Sequence, residues 1–307
     1  MRTIPALLVT IGLAASLTGC AASGAGTAAS DCATPGAASR AVSASGAFGK
    51  EPKVSVPAGL TTTGTQVSVL RSGEGRQVEA GTPVVLDYTL VDGATGKAVQ
   101  SSGYTGPSEP IVAGAAKSGP LGKAVECAHV GDRLAVAIPK SSLTQGGATG
   151  SESRRSDDAV VLVIDVERAF DSRATGTPQL AGDGMPAVVL APSGQPGITI
   201  PSWSAPANDQ QHLLRKGSGA ELTERDTVVL KYTAVSWPQG GGTSTVLSSN
   251  WSDGDGPLTL PLAKGQLADG VRDAIVDHHV GDQVLAVVHQ QSGPAVYVID
   301  IVGRIAG

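Results

Sequence analysis

Short apolar stretches rich in β-branched residues recur along the chain, and turns rich in Gly, Pro and Asp separate them. The clearest is DTVVLKY at residues 226–232, and GTPVVLDY at residues 81–88 repeats its pattern. In both copies an arginine followed by a Gly-x-Gly turn stands 17 residues before the tyrosine that ends the stretch. Such runs predict β-strands, because branched side chains fit the pleated surface of a half-buried sheet.

Two further blocks repeat in the same order along the chain. His-Val-Gly-Asp occurs at residues 129–132 and 279–282, and Val-Ile-Asp occurs at residues 163–165 and 298–300. Three blocks in one order indicate a tandem duplication. We therefore expect five segments: a signal peptide at 1–19, a flexible tether at 20–40, a first domain at 41–172, a proline-rich, strand-bearing connector at 173–208 and a second domain at 209–307.

Apolar residues at helical spacing predict one short helix in each copy, at residues 119–128 and 269–276. Many short strands with one helix per copy indicate an α+β fold, in which each domain is a twisted antiparallel sheet packed on one short helix. The 41 glycines and 19 prolines agree with a chain of many turns. An alternative, two immunoglobulin-like surface domains, requires that no helix forms at residues 269–276.

The N-terminal residues have the pattern of an export signal. Arg2 precedes an apolar run at residues 4–17 that is too short to favour a spanning helix, and Leu-Thr-Gly-Cys ends at Cys20. This resembles a bacterial lipobox, which implies that a lipid is attached to Cys20 and anchors the chain to the outer face of a membrane. The alternative is an ordinary secretory signal that is cleaved at a nearby alanine.

Two cysteines, Cys32 and Cys127, remain if Cys20 carries a lipid. Export places them where disulfides persist, so the simplest prediction is one bond between them. The alternative is two free cysteines, one of them buried. The formal charge of −5 argues against a nucleic-acid partner, and we expect a monomer.

The order of the motifs resembles that of the FK506-binding-protein (FKBP) type of peptidyl-prolyl isomerase. A Gly-x-Gly turn, a Val-Val-Leu-x-Tyr strand, a Ser-Ser segment, a helix before Val-Gly-Asp and a final Val-Ile-Asp strand follow one another in both copies. Over roughly residues 32–307 the chain is similar to actinobacterial lipoproteins with two FKBP domains. The resemblance implies a sheet wrapped around a helix, with a cleft between them that binds a proline ring.

The family lines this cleft mainly with aromatic side chains, whereas this chain has aliphatic ones at most matching positions. A tyrosine on the early strand is kept in both copies, and Trp251 is a candidate ring at the rim. The candidates in the second copy are Tyr232, Val246, Leu247, Trp251, Leu258, Leu267, Ala268, Val271 and Ile299. Their equivalents in the first copy are Tyr88, Val99, Gln100, Ile111, Leu121 and Ile164.

Two functions from different classes remain open. One is a weak isomerase or folding helper that acts on proline-containing segments of exported proteins. The other is a non-catalytic module that binds a peptide or protein. Tyr88 and Tyr232 also fit a purely structural role, and Trp251 fits a role as core filler. We expect no cofactor and no metal, because His278 and His279 have no acidic or cysteine cluster beside them.

Overall fold

The computed structural model describes residues 32–105, 110–143, 157–180, 182–238, 242–251 and 256–305. The predicted signal peptide, Cys20 and most of the predicted tether lie outside these residues. Within them, no helix combines the length and the apolar character needed to cross a membrane.

The first half contains eight strands and two α-helices in the described residues, and two 3₁₀ turns lie at Ala116–Ser118 and Lys140–Ser142. In chain order the elements are α1 Ala37–Arg40, β1 Ser43–Ser45, β2 Lys53–Ser55, β3 Gln66–Arg71, β4 Pro83–Asp92, β5 Lys97–Ser101, β6 Ile111–Val112, α2 Gly119–Val125, β7 Arg133–Pro139 and β8 Ala159–Ala169.

The second half repeats most of this sequence of elements. They are β9 Thr177–Pro178, β10 Ala187–Leu190, β11 Pro196–Thr199, β12 Gln210–Lys216, β13 Thr227–Ser236, β14 Val246–Ser249, β15 Leu258–Pro261, α3 Asp269–Asp273, β16 Gln283–Gln290 and β17 Gly293–Ile305.

The two large sheets are antiparallel and have the same strand order. The first runs β5-β4-β8-β7-β3 with β6 paired to β4, and the second runs β14-β13-β17-β16-β12-β9 with β15 paired to β13. The bulges repeat as well, for example between Val85 and Leu86 and between Val229 and Leu230. Because a bulge shifts the pairing by one residue, its repetition in both sheets shows a duplicated backbone path.

Each half also carries a small hairpin that is separate from its large sheet. Strands β1 and β2 pair in the first half, and β10 and β11 pair in the second with the same relative register. The sequence repeats here too, as PKVSVP at residues 52–57 and PGITIP at residues 196–201. The repeat therefore includes the segment that we predicted as a connector.

The two hairpins cover the outer faces of the large sheets. Val54 and Val56 pack against alanines and valines of β7 and β8, and Val188 and Ile198 pack against Leu285 and its neighbours on β16 and β17. The opposite face of each sheet packs against its helix. Both faces of each sheet are therefore buried.

The predicted fold class is wrong. Strands account for 44% of the described residues and helices for only 9%, and the described strands form four sheets rather than two. Helix α2 has seven residues and α3 has five, so neither provides a full layer. From Cys32 onward the chain forms one compact unit, not two domains that each consist of a sheet and a helix. The sequence pattern did not reveal that β-hairpins, rather than solvent, face the outer sides of the sheets.

An apolar contact joins the two halves. Phe170, which is 8% exposed, packs with Val85, Val229, Val302 and Ile305. Its ring lies so close to Gly303 that a Cβ atom added there would come within 2.3 Å of Cδ1 of Phe170. Only glycine at position 303 leaves room for the ring, so this contact depends on both residues.

A disulfide joins Cys32 to Cys127 with a Cα–Cα distance of 5.9 Å, which confirms the predicted bond. It ties the start of the described chain to the residue that follows helix α2 by two positions. The bond closes 95 residues of sequence, and in the chain-entropy model a loop of that length contributes about 4–5 kcal/mol by restricting the unfolded chain.

We expect Phe170→Ala to lower the free energy of unfolding by about 3–5 kcal/mol, because it leaves a cavity between the halves. The matched control is Phe48→Ala, whose half-buried ring lies under the guanidinium of Arg71. We expect Phe48→Ala to lower the free energy of unfolding by clearly less than Phe170→Ala does. Chemical denaturation followed by circular dichroism measures both. Equal losses from the two variants would show that Phe170 contributes no more to stability than a half-buried ring away from the contact between the halves.

Candidate functional site

The second half contains an apolar cleft of about 210 Å³ between its sheet and helix α3. Leu230 and Ile299 form its floor on β13 and β17 and are 3% and 1% exposed. Ile275 closes it from below and is fully buried, whereas Leu258 on β15 is 38% exposed at the rim. The cleft is therefore open to solvent on one side and closed by packed side chains on the other.

Strand and helix periodicity place the lining residues. Leu230 and Tyr232 alternate along β13, so their side chains leave the same face of the sheet. Val271 lies on the helix and Ile275 in the turn after it. Because residues four apart in a helical turn lie on the same side, both side chains face the cleft. Leu267 and Ala268 lie just before the helix and complete the wall.

Two tyrosines stand at one end of the cleft. The rings of Tyr232 and Tyr297 are stacked at an interplanar angle of 28°, and their centroids are 6.5 Å apart. The Tyr232 hydroxyl is 2.7 Å from Ser248 Oγ, and the Gln290 amide donates a hydrogen bond to the Tyr297 hydroxyl. Polar partners on neighbouring strands thus hold both rings in place.

Asn250 fixes the backbone beneath this pair. Its Oδ1 accepts a hydrogen bond of 2.7 Å from Tyr232 N, and its Nδ2 donates one of 3.1 Å to Leu230 O. Because both bonds reach β13, Asn250 holds the strand where it carries two lining residues.

The lining residues limit the chemistry of the cleft. The ten described lining side chains come from Leu, Ile, Val, Ala and Tyr, so none of them is a carboxylate, imidazole, thiol or amine. Across the described residues no group of three or more metal-ligating side chains occurs. The cleft can bind an apolar group and offer hydroxyls at one end, but the lining provides no general acid or base that is active near neutral pH.

Six of the nine residues that we predicted for the second copy line the cleft: Tyr232, Leu258, Leu267, Ala268, Val271 and Ile299. Val246 and Leu247 do not, since they lie on edge strand β14 and are 67% and 51% exposed. The pairing with β13 also places Ser248, rather than Leu247, at the position that Gln100 occupies beside β4. The predicted equivalence of the two copies is thus shifted by one residue on this strand.

Trp251 lies on the opposite face of the sheet. Lys231, which alternates with Tyr232 along β13, holds its Nζ atom 4.7 Å over the Trp251 ring. The ring is 8% exposed and approaches Gly194 in the second hairpin. Its position fits core packing, which was one of the two roles considered for it, and not the cleft rim.

The predicted residues of the first half occupy corresponding places but pack differently. Ile164 is fully buried, and Tyr88, Ile111 and Leu121 pack half-buried against the same core. Gln100 Nε2 donates a hydrogen bond of 2.7 Å to the Tyr88 hydroxyl, whereas Val99 is 64% exposed at the sheet edge.

Tyr297 is a lining residue that sequence reasoning missed, as are Leu230, Leu260 and Ile275. Tyr297 lies two residues before Ile299 on a strand, so alternation would have placed both on one face. The first half has Leu162 at the corresponding position, 7% exposed within its core. At this position the second half therefore has an aromatic ring where the first half has an aliphatic side chain.

No protein-family model and no curated protein matches the chain. Among solved structures, the three FKBP domains of wheat FKBP73 are similar at 14% identity and a TM-score of 0.30, over 79% of this chain and 95% of that chain. A peptidyl-prolyl cis-trans isomerase from Pseudomonas syringae pv. tomato is similar at 19% identity and a TM-score of 0.27, over 36% of this chain and 77% of that chain. Similarity at this level carries no argument about the activity of this chain.

An open cleft tolerates a larger side chain at Val271. We expect Val271→Phe to change the free energy of unfolding by less than about 1 kcal/mol, because the ring enters existing space. Ile275→Phe is the matched control and should cost about 1–3 kcal/mol, because it overfills a closed site. Thermal and chemical unfolding test both. An equally large loss from Val271→Phe would mean that the cleft is closed in solution.

Proposed function

We propose that the cleft of the second half binds X-Pro segments of exported proteins and weakly accelerates their cis-trans isomerisation, as an FKBP-type folding helper. The observation that carries this proposal is the apolar cleft of about 210 Å³ with Tyr232 at one end, at the place where the resemblance expects a proline ring. The order of the sequence motifs in both copies supports it.

The reaction needs no covalent attack. Rotation about a peptide bond has a barrier of roughly 20 kcal/mol because the amide loses conjugation when it twists. A dry apolar cleft binds the proline ring and lowers the barrier only if it holds the twisted amide more tightly than the planar one. Leu258 and Val271 provide apolar walls, Ile299 provides part of the floor, and the tyrosine end provides hydroxyls.

The aliphatic lining is the reason to propose weak catalysis. Val271 stands where the family resemblance places a tryptophan floor, and Leu258 stands where it places a phenylalanine. Aliphatic side chains preserve hydrophobic volume but offer no flat ring face on which the proline can stack. Binding of the ring is therefore expected to be looser than in a cleft walled by aromatic residues.

The second candidate function is a non-catalytic peptide-binding module on the same cleft. The 2.7 Å contact between the Tyr232 hydroxyl and Ser248 Oγ favours this alternative, because Ser248 competes with a bound amide for the hydroxyl. A hydroxyl that is engaged within the protein is less available to a twisting amide.

We also propose that a lipid on Cys20 holds the protein at the outer face of a membrane. The support is the sequence alone: a charged start, a short apolar run and Leu-Thr-Gly-Cys. This location would place the cleft among proteins that fold after export.

The isomerisation assay uses the chain from residue 20 with Cys20→Ser and a proline peptide observed by NMR exchange. We expect acceleration above the spontaneous rate, and Tyr232→Ala should lower kcat/KM by about tenfold, or about 1.4 kcal/mol. Tyr232→Phe, which keeps the ring, should retain most of the activity. Tyr88→Ala is the corresponding change in the first half. An equal loss of kcat/KM with Tyr88→Ala would show that the activity does not depend on the second-half cleft alone. A folded protein without acceleration that still binds the peptide at the cleft would favour the binding module.

The anchor is tested by fractionation of cells that express the full chain. We expect the wild-type protein in the membrane fraction and Cys20→Ala in the soluble fraction, because an attached acyl chain contributes about 0.8 kcal/mol of membrane affinity per buried CH₂ group. Cys32→Ala is the control, since it removes a cysteine of the disulfide but leaves the lipobox intact. Membrane retention of Cys20→Ala would rule out this anchor.

A further inference from the structure

The second half has a larger groove on its other side, next to the tip of the β16–β17 hairpin. Its volume is about 960 Å³, and we call it the tryptophan groove because Trp203 and Trp237 line it. Trp203 is 57% exposed and Trp237 is 3% exposed. Three prolines also line it, namely Pro206, Pro238 and Pro294.

Packing and hydrogen bonds build this groove. Trp237 belongs to the core beneath the β10–β11 hairpin, and its Nε1 donates a hydrogen bond of 3.1 Å to the Trp203 carbonyl oxygen. Trp237 N donates a bond of 2.9 Å to Pro294 O at the other wall. The backbone of both walls is therefore held by one buried residue, and the Trp203 side chain is left exposed.

The tryptophan groove is connected to the cleft through one side chain. Gln290 lines the groove, and its amide donates a hydrogen bond to the hydroxyl of Tyr297, which lines the cleft. Gln290, at the hairpin tip, thus lines the groove and contacts a residue that lines the cleft.

The described lining of the tryptophan groove contains one basic side chain, His289, and no acidic one. None of the described lining residues is Asp, Glu, Lys or Arg. His289 is already engaged, since its Nδ1 is 2.9 Å from Asp209 Oδ1 and its backbone N donates to the same oxygen over 2.8 Å. A charged segment would therefore lose water in the groove without meeting a charged lining side chain among the described residues other than His289.

We propose that the tryptophan groove binds neutral, proline-rich residues that flank the X-Pro bond held in the cleft; this inference rests on the proposed function of the cleft. Proline-rich segments favour the extended polyproline II conformation, which loses little entropy on binding, and grooves lined by aromatic rings are the usual receptors for it. The exposed Trp203 ring supplies such a surface. The preferred substrates are then segments with several prolines rather than an isolated X-Pro bond.

The experiment compares three labelled peptides by fluorescence polarisation on the chain from residue 20 with Cys20→Ser. The short peptide has one X-Pro bond between alanines. The two long peptides, each of about ten residues, add to it either a neutral proline-rich flank or a flank of Gly and Ser. The variants are Trp203→Ala and Trp203→Tyr in the groove and Tyr232→Ala in the cleft. Val189→Ala, an exposed apolar change on β10, is the control.

We expect the proline-rich peptide to bind about tenfold more tightly than the Gly-Ser peptide, as expected when one aromatic anchor contributes. Trp203→Ala should remove this advantage and leave the affinity for the short peptide unchanged, whereas Trp203→Tyr should restore part of it. Val189→Ala should change none of the affinities. Equal affinities for the two long peptides, or a loss with Trp203→Ala that all three peptides share, would overturn the inference.

The design separates this inference from the cleft function. Tyr232→Ala should weaken binding of the short peptide, which reports on the cleft alone. If the short peptide does not bind while Trp203 still determines binding of the proline-rich peptide, the groove receives proline-rich segments and the cleft proposal is wrong. If the short peptide binds and the flank makes no difference, the cleft proposal stands and the groove inference fails.

Discussion

A buried aspartate on the last strand holds each half of the molecule together. In the first half Asp165 is fully buried; it accepts hydrogen bonds from Arg133 over 2.6 and 2.7 Å and from Gly49 N over 2.8 Å. Arg133 also donates to carbonyl oxygens of the loop between β1 and β2. The outer hairpin is thus attached to the centre of the sheet by a charge pair that water does not reach. Removal of either partner would leave an uncompensated buried charge.

In the second half the corresponding buried aspartate, Asp300, has no arginine partner like Arg133 among the described residues. Asp300 accepts hydrogen bonds of 2.7 Å from Gln283 Nε2 and from Ala174 N, and Gln283 occupies the position of Arg133. Burial raises the pKa of Asp300 above its ordinary value, because these partners do not fully replace hydration of the charge. A raised folded-state pKa means that Asp300 favours the folded state less as pH rises through that pKa. Both halves therefore have the buried aspartate, but the groups that donate hydrogen bonds to it differ.

Repeated motifs in the sequence indicated the duplication, local periodicity indicated most strands, and the cysteine count with the export signal indicated the disulfide. Six of the nine positions carried over from the resemblance to the second half lie in the lining of the cleft. The sequence did not predict the contact between Phe170 and Gly303, since two residues far apart in sequence leave no periodic pattern. The hairpin covers were missed although PKVSVP and PGITIP repeat, because edge-like strands with prolines do not indicate what they pack against. The sequence left two roles open for Trp251, the cleft rim and core packing, because it does not determine the alternation of side chains beyond the end of β14; the ring lies in the position for core packing.

The disulfide also bears on mechanical load, if the chain is anchored at Cys20 as proposed. A pull from the membrane would then arrive at Cys32 through the tether, and the Cys32–Cys127 bond passes it directly to the segment between α2 and β7. The short β1–β2 hairpin, which pairs over only three residues, would be spared from being peeled off its sheet. A covalent bond where the tether joins the folded chain, at Cys32, would carry tension that the short outer hairpin cannot resist.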